Sequence, residues 1–153
     1  RDFQSIAEKK SIFIAEKYTD KPVMVYGDLG RLRQVFTILI DNAIRYSHSQ
    51  GTVSVSLMVC AAGDHTEISI VDQGIGLSEK DAQQVFYRFY RGDSAERHAN
   101  GTGLGLPVAK AIVDAHSGKI SLRGKLGHGS QALVQLPCEG KLNHRNNALK
   151  VAV

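Results

Sequence analysis

The feature that most constrains this chain is a helical spacing of apolar residues that gives way to a strand spacing. Leu32, Val35, Phe36, Leu39 and Ala43 recur every third or fourth position behind Asp28, a good N-cap. Ser47-His48-Ser49-Gln50-Gly51 ends the pattern after about five turns. Thr52 to Val59 and Thr66 to Val71 then alternate or run in β-branched residues around Gly63-Asp64, which predicts a hairpin. Helix and strand are therefore both present. At 153 residues, 42% hydrophobic and 22% charged, the chain can fill one core, which excludes a multidomain machine and disorder throughout.

Ser11 to Ala15 and Val23 to Tyr26 read as short strands before the long helix, parted by the turn-prone Thr19-Asp20-Lys21-Pro22. A second helix is predicted from the N-cap Ser78 through Val85, Phe86 and Phe89, with Glu79 and Asp81 in its first turn. Arg91 to Asn100 is polar, of mixed charge and without period, and reads as a mobile loop. A third helix runs from Leu106-Pro107 through Ala115 to Gly118. Lys119 to Arg123 and Ser130 to Leu136 form a closing pair of strands, which places a domain over residues 1–138 and a polar tail over 139–153.

Charge and cysteines exclude several function classes. The net charge of +4 is spread out, with a modest cluster at Lys141, His144, Arg145 and Lys150. There is no basic stripe interleaved with aromatics, so nucleic acid is not expected as a partner, whereas phosphates suit the charge. Cys60 and Cys138 show neither metal-ligand spacing nor a disulfide framework, which fits a reducing, cytoplasmic setting. The longest apolar stretch, Leu57 to Ala62, falls far short of the roughly 20 residues a membrane-spanning helix needs.

Four blocks carry the chemistry. Asn42, Arg45 and Tyr46 share one face of the first helix and offer an amide oxygen for a hard cation, a guanidinium for phosphate and a ring for a purine. Asp72-Gln73-Gly74-Ile75-Gly76 puts a carboxylate at a strand end, able to accept from an exocyclic amine as on adenine, with glycines where backbone can approach a flat ligand. Gly101-Thr102-Gly103-Leu104-Gly105-Leu106 runs into a helix N-terminus, where free N–H groups favour anions. A polar loop precedes these glycines where a Rossmann unit has a strand, and no Gly-Lys-Ser/Thr follows as in a P-loop. Gly127-His128-Gly129-Ser130 precedes the last strand. Taken singly, each has an ordinary reading as a solvated helix end or a tight turn.

In this order the blocks resemble the N, G1, G2 and G3 boxes of the histidine-kinase ATP-binding domain, and Phe86-Tyr87-Arg88-Phe89-Tyr90-Arg91 resembles its F box. The match runs from about Ser11 to Pro137. The resemblance implies an α+β fold, a two-layer α/β sandwich whose mixed, mainly antiparallel sheet is covered on one face by three helices, with a flexible ATP lid. It implies ATP and Mg2+ as cofactors. Asn42 would hold the magnesium and Arg45 would meet phosphate, these two being the catalytic pair. Tyr46, Asp72, Gly74, Ile75 and Gly76 would form the adenine site, with Ser130 beside it. Gly101, Thr102, Gly103, Leu104, Gly105 and Leu106 would cradle the phosphates. Phe86 and Phe89 would anchor the lid, Tyr90 and Arg91 would border the nucleotide, and Arg91 and Arg97 are candidates to add charge at the γ-phosphate.

The implied partners are a dimerisation and phosphoacceptor histidine domain of the same protein and a cognate response regulator. The implied setting is the cytoplasmic side of a membrane-anchored homodimer, an inner-membrane sensor of bacterial two-component signalling. None of His48, His65, His98, His116, His128 and His144 has the expected context of a phosphoacceptor. Ile38, one turn before Asn42, stands where ATP-hydrolysing branches put a glutamate. It cannot take a proton from water, which favours a kinase over the alternative, a gyrase- or mismatch-repair-type ATPase clamp.

Overall fold

The computed structural model describes residues 3–19, 23–60, 63–92, 102–138 and 150–152. Its order is α1 (Phe3–Lys9), β1 (Phe13–Lys17), β2 (Met24–Tyr26), α2 (Leu29–Tyr46), β3 (Thr52–Val59), β4 (His65–Asp72), α3 (Glu79–Gln84), α4 (Gly105–Ala115), β5 (Lys119–Gly124), β6 (Ser130–Pro137) and β7 (Lys150–Ala152). Five strands make one sheet in the order β1-β3-β4-β6-β5. Only β1 and β3 run parallel; the other pairs are antiparallel. The expected mixed, mainly antiparallel sheet with helices packed on it is the fold observed.

The long helix begins where its cap predicts, with the Asp28 side chain accepting from the Arg31 N–H at 2.9 Å. Its stripe of Leu32, Val35, Leu39 and Ala43 is buried against Val53, Leu57, Ile68 and Ile70 of the central hairpin and Val134 and Leu136 of β6. Apolar burial of this kind is the main term holding a two-layer sandwich together. Helix α4 adds Ala109, Ile112 and Val113 to the same core. His116, at its end, ties it to α2: Nδ1 donates to the Ile112 carbonyl at 2.7 Å, and Nε2 accepts the Asp28 N–H at 3.0 Å. Opposite demands on the two nitrogens fix one neutral tautomer.

Four elements depart from expectation. Helix α1, with Ala7 buried and Phe3 and Ile6 packed on the core, is too short to announce itself by periodicity. The first strand is shifted to Phe13–Lys17, because it is set by its parallel register with Thr52 to Ser56 rather than by its own pattern. Helix α3 stops at Gln84 instead of running through Phe89. There the backbone turns away, Phe89 taking φ 64° and its N–H donating to the Gly103 carbonyl at 3.0 Å. Finally, residues 150–152, expected to be tail, form β7 antiparallel to β2. The lid arginine Arg97, the remainder of the predicted loop over 93–100, Gly101, His98 and His144 lie outside the described residues.

Candidate functional site

The sheet, α2 and the start of α4 line a cavity of about 270 Å³. Asn42, Arg45 and Tyr46 of α2 reach it from one side, with Ile38 and Asp41 beside them. Thr102, Gly103, Gly105 and Leu106 face it from the start of α4, and Asp72, Ile75 and Gly76 close it at the end of β4. Tyr90 and Arg91 line it next to the root of the predicted lid. The helical spacing of 42, 45 and 46 thus places three chemically different side chains on one wall.

Asp72 is the most constrained of these groups, only 6% exposed. Its Oδ1 accepts the Ser130 N–H at 3.2 Å, its Oδ2 accepts the Ser130 hydroxyl, and the Gly74 N–H adds a further bond. Burial pushes its carboxyl above the ordinary value, against these donors, which favour the charged form. Ser130 is therefore what orients Asp72, and it stands directly opposite Asp72 in the β4–β6 register. Paired strands brought together two residues that lie in separate motifs.

The glycines of the Asp72 block act differently from the expectation that they admit a ligand. A Cβ on Gly74 would come within 2.0 Å of the Tyr46 carbonyl oxygen, so this position lets the strand end meet the end of α2. There Ser47 bridges Gly74, and Ile75 N–H donates to the Tyr46 carbonyl at 3.1 Å. Gly74 stands behind the cavity wall and does not line it. Gly76 does line it, yet its φ of 65° and a Cβ position 1.9 Å from the Lys125 carbonyl show that it too makes room for protein backbone.

One further expectation needs correction. Phe89 is 73% exposed and outside the cavity, because the left-handed turn that ends the α3 region throws its side chain outward. Leu104, expected to offer a backbone donor, is the N-cap of α4, its side chain not part of the cavity lining, whereas Phe86 is half-buried. Conversely, the apolar walls Ile70, Leu77, Leu122 and Ala132 escape a reading by motif. Ile70 sits two residues before Asp72 and Ala132 two after Ser130, so the strand period could have found these two.

Asp81 supports the wall at Tyr90. The Tyr90 hydroxyl donates to its Oδ1 at 2.7 Å, and its Oδ2 accepts the Ser78 hydroxyl at 2.8 Å within a capping box. These bonds, that from Tyr90 first, hold the Asp81 carboxyl below its ordinary value. Helix α4 opens on the cavity with no side-chain cap, leaving its first N–H groups available to an anion. A buried strand-end carboxylate and an uncapped, glycine-led helix start thus face an Asn-Arg-Tyr wall across the cavity.

The chain belongs to the histidine kinase-, DNA gyrase B- and HSP90-like ATPase family, whose profile matches residues 27–140. That membership makes ATP the nucleotide of this fold. Among curated proteins it is 39% identical over 119 residues to the sensor histidine kinase YkoH of Bacillus subtilis, covering 76% of this chain and 25% of that one. It is 38% identical over 136 residues to the sensor histidine kinase WalK of the same organism, covering 88% of this chain and 22% of that one. The chain thus spans about a quarter of these relatives. Among solved structures, the mycobacterial sensor histidine kinase MprB superimposes with a TM-score of 0.74 at 26% identity, covering 90% of this chain and 95% of that chain. The Acinetobacter baumannii histidine kinase AdeS gives 0.70 at 30% identity, covering 90% and 60%.

Proposed function

We propose that this chain is the catalytic ATP-binding domain of a two-component sensor histidine kinase, which passes the γ-phosphoryl group of Mg-ATP to a histidine on a separate dimerisation domain. The observation that carries the reading is Asp72: a buried carboxylate, oriented by Ser130, at the end of a cavity of about 270 Å³. An ionised carboxylate accepts only, so it receives the adenine amine and rejects guanine, which has an oxygen there.

Asn42 and Asp41 bring amide and carboxylate oxygens to the cavity, the donor chemistry that suits magnesium, and Asn42 would hold the ion. Held there, the ion would supply charge to neutralise the phosphates. Arg45 on the same wall contacts phosphate, and the free N–H groups at the start of α4 cradle the chain of phosphates. Arg91, which lines the cavity at the root of the expected lid, would add charge at the γ-phosphate. In the transfer, the acceptor imidazole nitrogen forms the N–P bond as the bond from the γ-phosphorus to the β,γ-bridging oxygen breaks. ADP departs, and the imidazole proton passes to solvent.

Ile38 lines the cavity one turn before Asn42 and offers no base for water, which sets the kinase reading above a clamp-type ATPase. The partners are the acceptor domain of the same protein and a response regulator, with the whole protein a membrane-anchored homodimer whose kinase region lies in the cytoplasm. Among the described residues no helix is long and apolar enough to cross a membrane. Mixing the chain with its acceptor domain and γ-labelled ATP should label one acceptor histidine. Absence of label with the correct partner, or steady ATP turnover by the chain alone, would overturn the assignment.

A further inference from the structure

Outside the nucleotide cavity, the turn between β3 and β4 gathers three different metal-binding groups. The Cys60 thiol, the Asp64 carboxylate and the His65 imidazole place one donor atom each within 4.8 Å of one another. Sequence spacing gave Cys60 no ligand signature; the hairpin closure supplies it. Cys60 N–H donates to the His65 carbonyl at 3.0 Å, and Gly63 N–H to the Cys60 carbonyl at 2.8 Å, so the two ends of the turn are pinned. The Cys138 N–H of the neighbouring strand end donates to the Asp64 carbonyl at 3.0 Å and fixes the middle.

We infer that this turn is a binding site for a zinc-class divalent cation, with Cys60, Asp64 and His65 as ligands and water completing the tetrahedron. A tetrahedral ion with bonds of about 2.0–2.3 Å sets its donors roughly 3.3–3.8 Å apart, so donors now up to 4.8 Å apart would draw in while His65 Nδ1 and Asp64 Oδ1, now 2.7 Å apart, would open slightly. Thiolate and imidazole select a borderline-soft ion and reject magnesium, which keeps this site separate from the nucleotide's cation. His65 is presented for ligation on one side only. Nδ1 faces Asp64 Oδ1 at 2.7 Å, while Nε2 faces Glu67 Oε1 at 3.6 Å. Glu67 is itself held by Gln135 Nε2 at 2.6 Å. A ligating histidine whose second nitrogen addresses an anchored carboxylate is the outer arrangement that orients such ligands. The ion would take the place of the contact between His65 Nδ1 and Asp64 Oδ1 and would join both ends of the turn.

The test titrates the reduced chain with Co2+ alone and reads its absorption, then displaces the cobalt with Zn2+. One equivalent should give a thiolate charge-transfer band and the intense visible bands of a tetrahedral site. Cys60→Ser should abolish the charge-transfer band. His65→Gln and Asp64→Asn should each weaken affinity by roughly a hundredfold, at least the upper end of what losing an outer-shell partner costs. Cys138→Ser should keep the band. Unchanged binding of an ATP analogue by each variant verifies that it is folded. No stoichiometric cobalt band in the reduced parent chain, a band that survives Cys60→Ser, or one lost equally in Cys138→Ser would overturn the site.

Discussion

Asp72 faces opposing demands, since burial disfavours its charge while the acceptor role proposed for it needs that charge. Its raised carboxyl means that the folded state binds this proton more tightly than the unfolded chain does. The stabilisation linked to this proton is complete below the ordinary value of 3.8 and is lost as pH rises through the higher folded value. ATP affinity runs the other way, falling as pH drops through that folded value and the acceptor is capped. Calorimetry across mildly acidic pH should show this loss at a higher pH than an ordinary aspartate would give. Asp72→Asn can keep its amide oxygen on the Ser130 N–H while its amide donates to the Ser130 hydroxyl, so the fold should survive. ATP binding should weaken by about 1.5–3 kcal/mol, the worth of a hydrogen bond to a charged group. If the Asp72→Asn variant binds ATP as the parent does, Asp72 is not part of the site.

Gly74 and Gly127 separate two costs that sequence cannot tell apart. An alanine at Gly127 meets open space at φ 76°, and should cost only the left-handed penalty of roughly 1–2 kcal/mol. At Gly74 the added methyl meets the Tyr46 carbonyl at 2.0 Å, so backbone must move. Gly74→Ala should therefore lower the urea midpoint more than Gly127→Ala does, and should disturb nucleotide binding through Tyr46. Equal effects would mean that the strand end and α2 are not packed as described.

Among the elements, α2 was the most legible, because its cap, its apolar stripe and its three site residues are all local. Strand β3 was read to its ends for the same reason, as alternation and turn signals lie close together. What failed was decided at a distance. The α3 region stops short because Gly103, far along the chain, captures the Phe89 N–H, and that same turn displaces the expected lid anchor. Leu122 enters the cavity through strand pairing that no local pattern encodes.

Two element junctions give further tests. Lys10 Nζ donates to the Ile44 carbonyl at 3.1 Å and the Arg45 carbonyl at 2.6 Å, a positive charge on the negative end of α2. Lys10→Met should lower stability by about 0.3–1 kcal/mol in denaturant titrations. An unchanged midpoint would show that the cap contributes nothing. Asp81 lies below its ordinary value, so the stability it contributes is present above 3.8 and is lost as pH falls through its lower folded value. Tyr90→Phe removes the first of its donors and should shrink that acid-side loss in stability-versus-pH curves. An identical acid limb would contradict the Tyr90–Asp81 link.

At the scale of the whole molecule, the fold brings three distant stretches to one cavity: the C-terminal half of α2, the end of β4 and the start of α4. The order of motifs along the chain foretold this convergence through resemblance, whereas the way Ser130 orients Asp72 and Gly74 supports Tyr46 became visible only in the packing. We propose this convergence as an adenine-selective, magnesium-dependent nucleotide site. The most direct measurement is a calorimetric titration with a non-hydrolysable ATP analogue, with and without magnesium, beside the matching GTP analogue. One adenine nucleotide should bind per chain, with affinity altered by magnesium, and the guanine nucleotide should not bind comparably. Equal binding of both analogues, or no binding at millimolar ligand, would contradict it.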